Sequence, residues 1–348
     1  MKTVSVIIAV WAAIALAPRS GRHETRAARW QQQTSGVTAR LRGVSAASAR
    51  VVWASGASGT IVRTADGGET WQRPTIADAE KLDFRDIDAV DDRTAYTLSI
   101  GAGPASRIYK TTDAGAHWTL QFTNEDAKAF YDAMAFWDPN HGLVVSDSVD
   151  GTFVILTTQD GGAHWARVPA DVLPPALPNE GAFAGSGTNI AVLGRDMAWI
   201  GTGASTTSRV LRTSDGGKTW TVTDTPLVTS ASAGIFSVAF RDSQHGLVVG
   251  GDYKKERDST DVAAATSDGG ITWSLVTGLG GFRSVVAHRP GSAPSWIAVG
   301  PSGADVTTDD GKTWSPVEGD GYHAFSFAPG GEAGWGVGEN GRVGKLLW

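Results

Sequence analysis

The sequence predicts an all-β chain, a seven-bladed β-propeller with four-stranded blades, closed by an N-terminal strand that completes the last blade. Three observations predict it. A nine-residue box recurs six times, as "RTADGGETW" (63–71), "KTTDAGAHW" (110–118), "TTQDGGAHW" (157–165), "RTSDGGKTW" (212–220), "ATSDGGITW" (265–273) and "VTTDDGKTW" (306–314). The box tryptophans step along the chain by 47, 47, 55, 53 and 41 residues, the period of blades with about four short strands each. Glycine is abundant, at 44 residues, and separates short apolar runs, as in a chain of strands and tight turns.

The elements follow in order. "MKTVSVIIAVWAAIALAPRSG" offers a lysine, an apolar run from Val4 to Ala17 and a small-residue exit at Ala15-Leu16-Ala17. That is the layout of a secretory signal, with an uncleaved anchor as the alternative. Residues 1–29 are therefore expected to be a signal peptide or N-terminal anchor with a short linker, and 30–348 a single propeller domain. Export to the periplasm or beyond is expected, with membrane contact only through an uncleaved N-terminal segment. "WQQQTSGVTARLRGV" from Trp30 then reads like the segment that follows a box, as "WQRPTIADAEKLDFRDI" does from Trp71. Each unit repeats one succession: an apolar strand such as "VAFRDSQHG", a second such as "LVVGG", and a third that enters the box. The last unit, "YHAFSFAPGGEAGWGVGENGRVGKLLW", matches three strands and lacks the fourth. The strand from Trp30 supplies it, and closing the ring removes an exposed sheet edge.

Six copies of an acid, a glycine pair and a tryptophan are either six sites or six fasteners. Each box falls between the third and fourth strands of a blade, where a hairpin is needed. The glycines permit left-handed backbone. Asp66, Asp113, Asp160, Asp215, Asp268 and Asp309 are short enough to accept the N–H groups of the turn. Trp71, Trp118, Trp165, Trp220, Trp273 and Trp314 cover the hairpin, and truncating one is expected to cost about 3–5 kcal/mol. The boxes read as fasteners.

The boxes resemble the Asp-box, or BNR, repeat of sialidases and related propellers. The phrases "LDFRDIDAVDDRTAYTLSIG", "FYDAMAFWDPNHGLVVSDSVDG" and "AGIFSVAFRDSQHGLVVGGDY" resemble a narrower group, bacterial relatives of the photosystem II stability/assembly factor. That resemblance implies a seven-bladed propeller that holds an unassembled membrane protein, with an arginine-rich patch for its client. Some such bacterial sequences carry the label "oxidoreductase".

Alternate turns of an up-and-down blade emerge on the same face, so the boxes share one rim, the bottom. The long segments all go to the other rim: crossings 123–130, 169–187 and 223–234, and the loop 251–261. Insertions gathered on one face mark the expected binding face. Aligning the units places Arg42, Arg85, Asp132, Asn189, Ser237, Arg283 and His323 at one position, the entrance of each innermost strand. The expectation is a polar ring with three guanidiniums at the channel mouth, suited to carboxylates or carbonyls. The alternative is Arg–Asp pairing between blades, with Asp86 and Asp132 as partners.

Other chemistries fare less well. A net charge of −6 argues against a nucleic-acid groove, and the absence of cysteine removes thiolate chemistry. "GVGENG" (336–341) fits G-x-G-x-x-G but lies between two strands, with Asn340-Gly341 as a hairpin turn, so no dinucleotide site is expected. His141 and His245, in the turns "DPNHG" and "DSQHG", sit at equivalent places in different blades, as do His117 and His164 in their boxes; no metal is expected. Glycoside hydrolysis needs two carboxyls flanking one bond, and Asp132 and Glu180 are the candidates, with Asp86, Asp147 and Asp150 nearby. A sialidase-like site would use Tyr131 or Tyr322, but the sequence has no Arg-Ile-Pro, and neither G-x-S-x-G nor H-E-x-x-H occurs. The expected function is an exported binding scaffold, a monomer without cofactor, that grips a protein client on its top face. A glycan-cleaving propeller is the alternative.

Overall fold

The computed structural model describes residues 28–348. The expected export segment falls on residues outside these, apart from its last two positions, and the first strand begins at Arg29. Seven antiparallel sheets succeed one another along the chain. Their first strands are Leu41–Ala46, Asp83–Ala89, Tyr131–Phe136, Ile190–Leu193, Ala233–Phe240, Val285–His288 and Ala324–Phe327. Each first strand touches those of the blades before and after it, and the last touches the first, so the ring is closed.

Closure comes from the N-terminal strand. Arg29–Thr34 pairs antiparallel with Arg342–Leu347, from Arg29 opposite Leu347 to Thr34 opposite Arg342. One sheet thus joins both ends of the described chain. The first blade differs slightly from expectation. Its fourth strand shrinks to a single bridge between Arg63 and Gln72, because Pro74 follows and cannot donate to a ladder. The other six sheets have four strands.

The apolar core is divided among the seams. Each hydrophobic cluster draws side chains from two adjacent blades. At the closing seam, Leu41, Val44 and Val62 of blade 1 pack on Trp335, Val337 and Val343 of blade 7. Polar stitches cross the inner strands too. The Ala46 N–H donates to Ser326 Oγ (3.1 Å), the Ala89 N–H to Ser45 Oγ (3.0 Å) and the Phe136 N–H to an Asp88 oxygen (3.2 Å).

The boxes are hairpins between third and fourth strands, and their hub is a threonine. Thr213 Oγ1 donates to Asp215 (2.8 Å) and accepts the Gly217 N–H (3.0 Å). Asp215 also accepts the Thr219 N–H (3.0 Å) and hydroxyl (2.6 Å). Thr64, Thr111, Thr158, Thr266 and Thr307 repeat the arrangement. His117 and His164 substitute a ring nitrogen for the last hydroxyl, each 2.7 Å from its box aspartate. His141 and His245 bond within their own turns, to Asp138 and Asp242.

The box also grips its neighbour. Trp53, Tyr96, Trp199 and Trp335, on second strands, are buried opposite a basic residue: Arg63, Lys110, Arg212 and Lys345. Trp199 Nε1 donates to the Gly269 carbonyl (2.8 Å) and the Tyr96 hydroxyl to the Gly161 carbonyl (2.6 Å), each in the next blade's box. Trp53 meets Trp118 edge-on at 5.9 Å. The box tryptophans themselves are less uniform than expected. Trp220 is buried, at 6% exposure, because the crossing between blades 3 and 4 covers it with Val172 and Leu173. The other five are half-buried. In urea unfolding, Trp220→Ala should cost about 3–5 kcal/mol and Trp165→Ala clearly less, roughly 1–3 kcal/mol. Equal losses would mean that the covering segment adds nothing.

Candidate functional site

Where the inner strands enter the sheet, the regular ladder breaks. In blades 1, 2, 3 and 5 one extra residue bulges from the first strand: Arg42, Arg85, Asp132 and Phe236. A bulge re-aims a side chain and stops it pairing with the strand beside it. All four line one hollow of about 770 Å³, together with Ser284 and His323 from blades 6 and 7. Residues of all four long segments complete the lining: Lys128, Asn179 and Glu180 with Ala182 to Gly185, Ala231, and Tyr253 with Glu256.

Strand register corrects the expected ring. Counting along the pairing back from each box threonine, the position of Arg42 falls on Thr188, Phe236 and Ser284 in blades 4, 5 and 6. Asn189 and Ser237 lie one residue later and Arg283 one earlier, and a one-residue slip turns a side chain to the other face. Ser237 stitches blade 5 to blade 6, with its Oγ accepting the Val286 N–H (3.0 Å). Asn189 is fully buried, and neither amide atom has a protein partner. Arg283 is buried against Asp305, Nε to Oδ2 at 2.8 Å, and also donates to the Phe282 carbonyl. The third guanidinium is therefore a structural ion pair and does not line the hollow. The signal that finds the true set is the threonine at the second place of each box.

The crossing between blades 3 and 4 dips over the mouth of the channel. Arg85 Nη1 donates to the Ala184 carbonyl (3.1 Å) and Arg42 Nη1 to the Gly185 carbonyl (3.4 Å). Ser186 Oγ donates to the Ser284 carbonyl (2.9 Å), and Phe183 stacks on Phe236 at 4.1 Å. Gly187 is required: its φ is +77°, and a Cβ there would collide with the Asp86 carboxylate. The N–H groups of Ala182 and Ala184 favour the ionised forms of Asp147 and Asp132. Around the mouth, then, guanidiniums take the carbonyls of one stretch of chain whose N–H groups favour the charged form of two nearby carboxyls.

The two arginines differ in what remains free. Arg85 is also held by Asp83, through Nε at 3.0 Å. Arg42 has no carboxylate partner among the described residues, and its Nε is buried without an acceptor. Burial, then Arg85 and Arg40, lowers its pKa to about 10. His323 lies beside it, Nε2 at 2.8 Å from Glu339, and burial, then the Arg42 charge, holds it down to about 4.

The carboxyls divide as well. Glu180, one of the two candidate catalytic acids, is buried and fully engaged. It pairs with Arg209 and accepts the Thr202 hydroxyl (2.6 Å) and the Leu177 N–H (2.8 Å). Asp86 is spent on the Met134 N–H (2.7 Å) and Asp150 on Lys128 (2.8 Å). Asp132 is different: it is 1% exposed, and its Oδ2 has no partner. Burial, then the neighbouring Asp147, pushes its pKa well up, and burial lifts Asp147 to about 6. Tyr131 and Tyr322 are buried in blade seams, outside the lining of the hollow. "GVGENG" ends a strand and turns at Asn340 and Gly341, both at positive φ.

No family model matches the chain, and no curated protein matches it. Solved structures do. YCF48 bound to a D1 peptide superposes over 92% of this chain and 97% of its own, with a TM-score of 0.65 at 17% identity. YCF48 from Cyanidioschyzon merolae matches over 92% and 99%, with a TM-score of 0.65 at 18% identity. The chain has a fold similar to that of YCF48. The same seven-bladed architecture also matches the GH74 xyloglucanase from Xanthomonas campestris, at a TM-score of 0.64 and 16% identity, over 90% of this chain and 53% of that one. The sequence resemblance to the photosystem II assembly factor and the likeness to YCF48 thus agree on fold.

Protonation of the inner-strand acids links to stability. Burial raises Asp88 from 3.8 to about 6, so the folded chain takes up that proton before the unfolded chain does. Its unfavourable contribution is full above about pH 6 and is relieved as pH falls toward 3.8. The box acids run the other way. The Thr313 hydroxyl, then Thr307, holds Asp309 down to about 2, so its contribution is present above 3.8 and is lost toward pH 2. Between pH 7 and 5, Asp88→Asn should flatten the gain in chemical-denaturation stability relative to the parent; an unchanged slope would exclude Asp88 as its source.

Proposed function

We propose that this chain is a polypeptide-binding scaffold whose top hollow grips an extended segment of a protein client. The observation that carries this reading is Arg42. It is a desolvated guanidinium in a hollow, with unused donors, beside a stretch of backbone whose carbonyls the ring already takes. A guanidinium so placed needs carbonyl or carboxylate oxygens, and a polypeptide brings both. The aromatic wall of Phe130, Phe183, Phe236, Tyr253 and Phe282 supplies apolar contact, with Tyr253 45% exposed at its rim. Its fold neighbour YCF48 was solved bound to a peptide, which supports the same class of ligand. Export remains part of the proposal and rests on the sequence of residues 1–29 alone.

The glycan-cleaving alternative requires a free acid and a free base across one bond. Glu180, the partner the sequence proposed for Asp132, is engaged by three groups, and the carboxyl left beside Asp132 is Asp147, on the same side of the hollow rather than facing it across a bound sugar.

In capture experiments with the exported proteome of the source cell, the parent should retain protein clients that Arg42→Ala loses, with binding weaker by about 10- to 100-fold. Arg283→Ala should instead lower stability. Equal capture by Arg42→Ala would remove the basis of the reading. A panel of glycans should release no reducing ends; turnover abolished by Asp132→Asn would favour the alternative.

A further inference from the structure

The charges lining the hollow are unevenly paired. Three cations close to its acidic side already have partners. Arg85 is fixed on Asp83 at 2.9 Å, Lys128 on Asp150 at 2.8 Å and Arg209 on Glu180. Asp132 and Asp147 also line the hollow, and among the described residues neither has a cationic partner. Asp132 is 1% exposed, with Oδ2 unsatisfied. A buried carboxylate without a partner is costly, and two side by side more so. The position is also built. A Cβ at Gly181 would collide with the Asp147 carboxylate, so glycine there lets the acid lie against the crossing.

We propose that Asp132 and Asp147 form a subsite for one cationic side chain, lysine or arginine, of the bound polypeptide. This rests on the polypeptide-binding reading and names what the ligand must carry. The ammonium or guanidinium sits between the two carboxyls and completes the unpartnered Oδ2. Its aliphatic stem runs along Phe130 and Phe183, which line the same hollow. Arg42 stands apart as the pole for oxygen atoms, so the hollow reads a dipolar stretch of chain.

Proton linkage gives a second signature. Burial lifts Asp147 to about 6, and burial, then Asp147, raises Asp132 well above the usual carboxylate range, so the unliganded pair holds protons that an arriving cation expels. Arg42, Arg85, Lys128, Glu180, Glu256 and His323 face the same space, with Asp150 behind Lys128 and Arg209 behind Glu180. Binding should therefore release protons near and below about pH 6 and weaken as pH falls through that range.

The test uses the described propeller with residues 1–27 present and alanine-based decapeptides carrying one central lysine, arginine, citrulline or norleucine, followed by fluorescence anisotropy. Lysine and arginine peptides should bind about tenfold tighter than citrulline and norleucine peptides. Asp147→Asn should erase that difference, and Asp132→Asn should do the same, with thermal melting confirming the fold of each. If every peptide binds equally, the acid pair is no cation subsite, while the polypeptide reading stands. If none binds, both fall. A millimolar calcium titration that abolishes the lysine preference by occupying the pair would overturn the proposal in favour of a metal site.

Discussion

The structure depends on burial between blades. A four-stranded sheet of this size has two faces to cover, and here each face is covered by the next blade. Seven clusters, one per seam, divide the core, so that no blade holds an apolar interior of its own. The seventh seam is therefore as necessary as the others. It forms because the N-terminal strand pairs with the last strand of blade 7, tying the two ends of the described chain into one sheet. The repeated boxes belong to the same arrangement. Each fixes its own hairpin through a threonine and an aspartate, and two of them, at Gly161 and Gly269, also offer a glycine carbonyl to an aromatic side chain of the preceding blade.

Rigidity at the bottom lets the top be irregular. The box rim is held by hydrogen bonds repeated six times, whereas the opposite rim carries the long crossings and the bulged entrances of the inner strands. A bulge costs ladder hydrogen bonds, and four blades accept that cost at one level of the channel. The side chains so released are two guanidiniums, one carboxyl and one aromatic ring. Together with the crossing that lies over the mouth, they form a surface with donors on one side, acceptors on the other and an aromatic wall. Such a surface suits the alternating polarity of a polypeptide backbone, and the chain's own Ala184–Gly185 carbonyls already show the contact that the guanidiniums make.

Much of this was legible without coordinates. The box spacing gave seven blades, and the unmatched final unit gave the closing strand. Arg42, Arg85 and Asp132 were found because their blades share a simple register with the boxes, and His323 because the three strands of the boxless last unit match the other units. Asn189, Ser237 and Arg283 were misplaced by one residue, and in a strand one residue exchanges the faces. The same slip hid Phe236, Ser284 and Thr188. Glu180 illustrates a different failure. Its acidity suggested chemistry, but Arg209 and Thr202 are 29 and 22 residues distant in sequence and close only in the fold.

The sequence by itself determined the repeat, its period, the hairpin chemistry of each box and the rim to which the long segments belong. These are local properties: turn-forming residues, alternating apolar positions and the length of each connection act within one blade. The tertiary structure alone decided which charges are spent and which are free. Arg283 and Arg42 are the same residue type at nearly the same place, yet one is buried against Asp305 and the other opens on the hollow. Partnership of that kind depends on distances between blades, and those are set only when the ring closes.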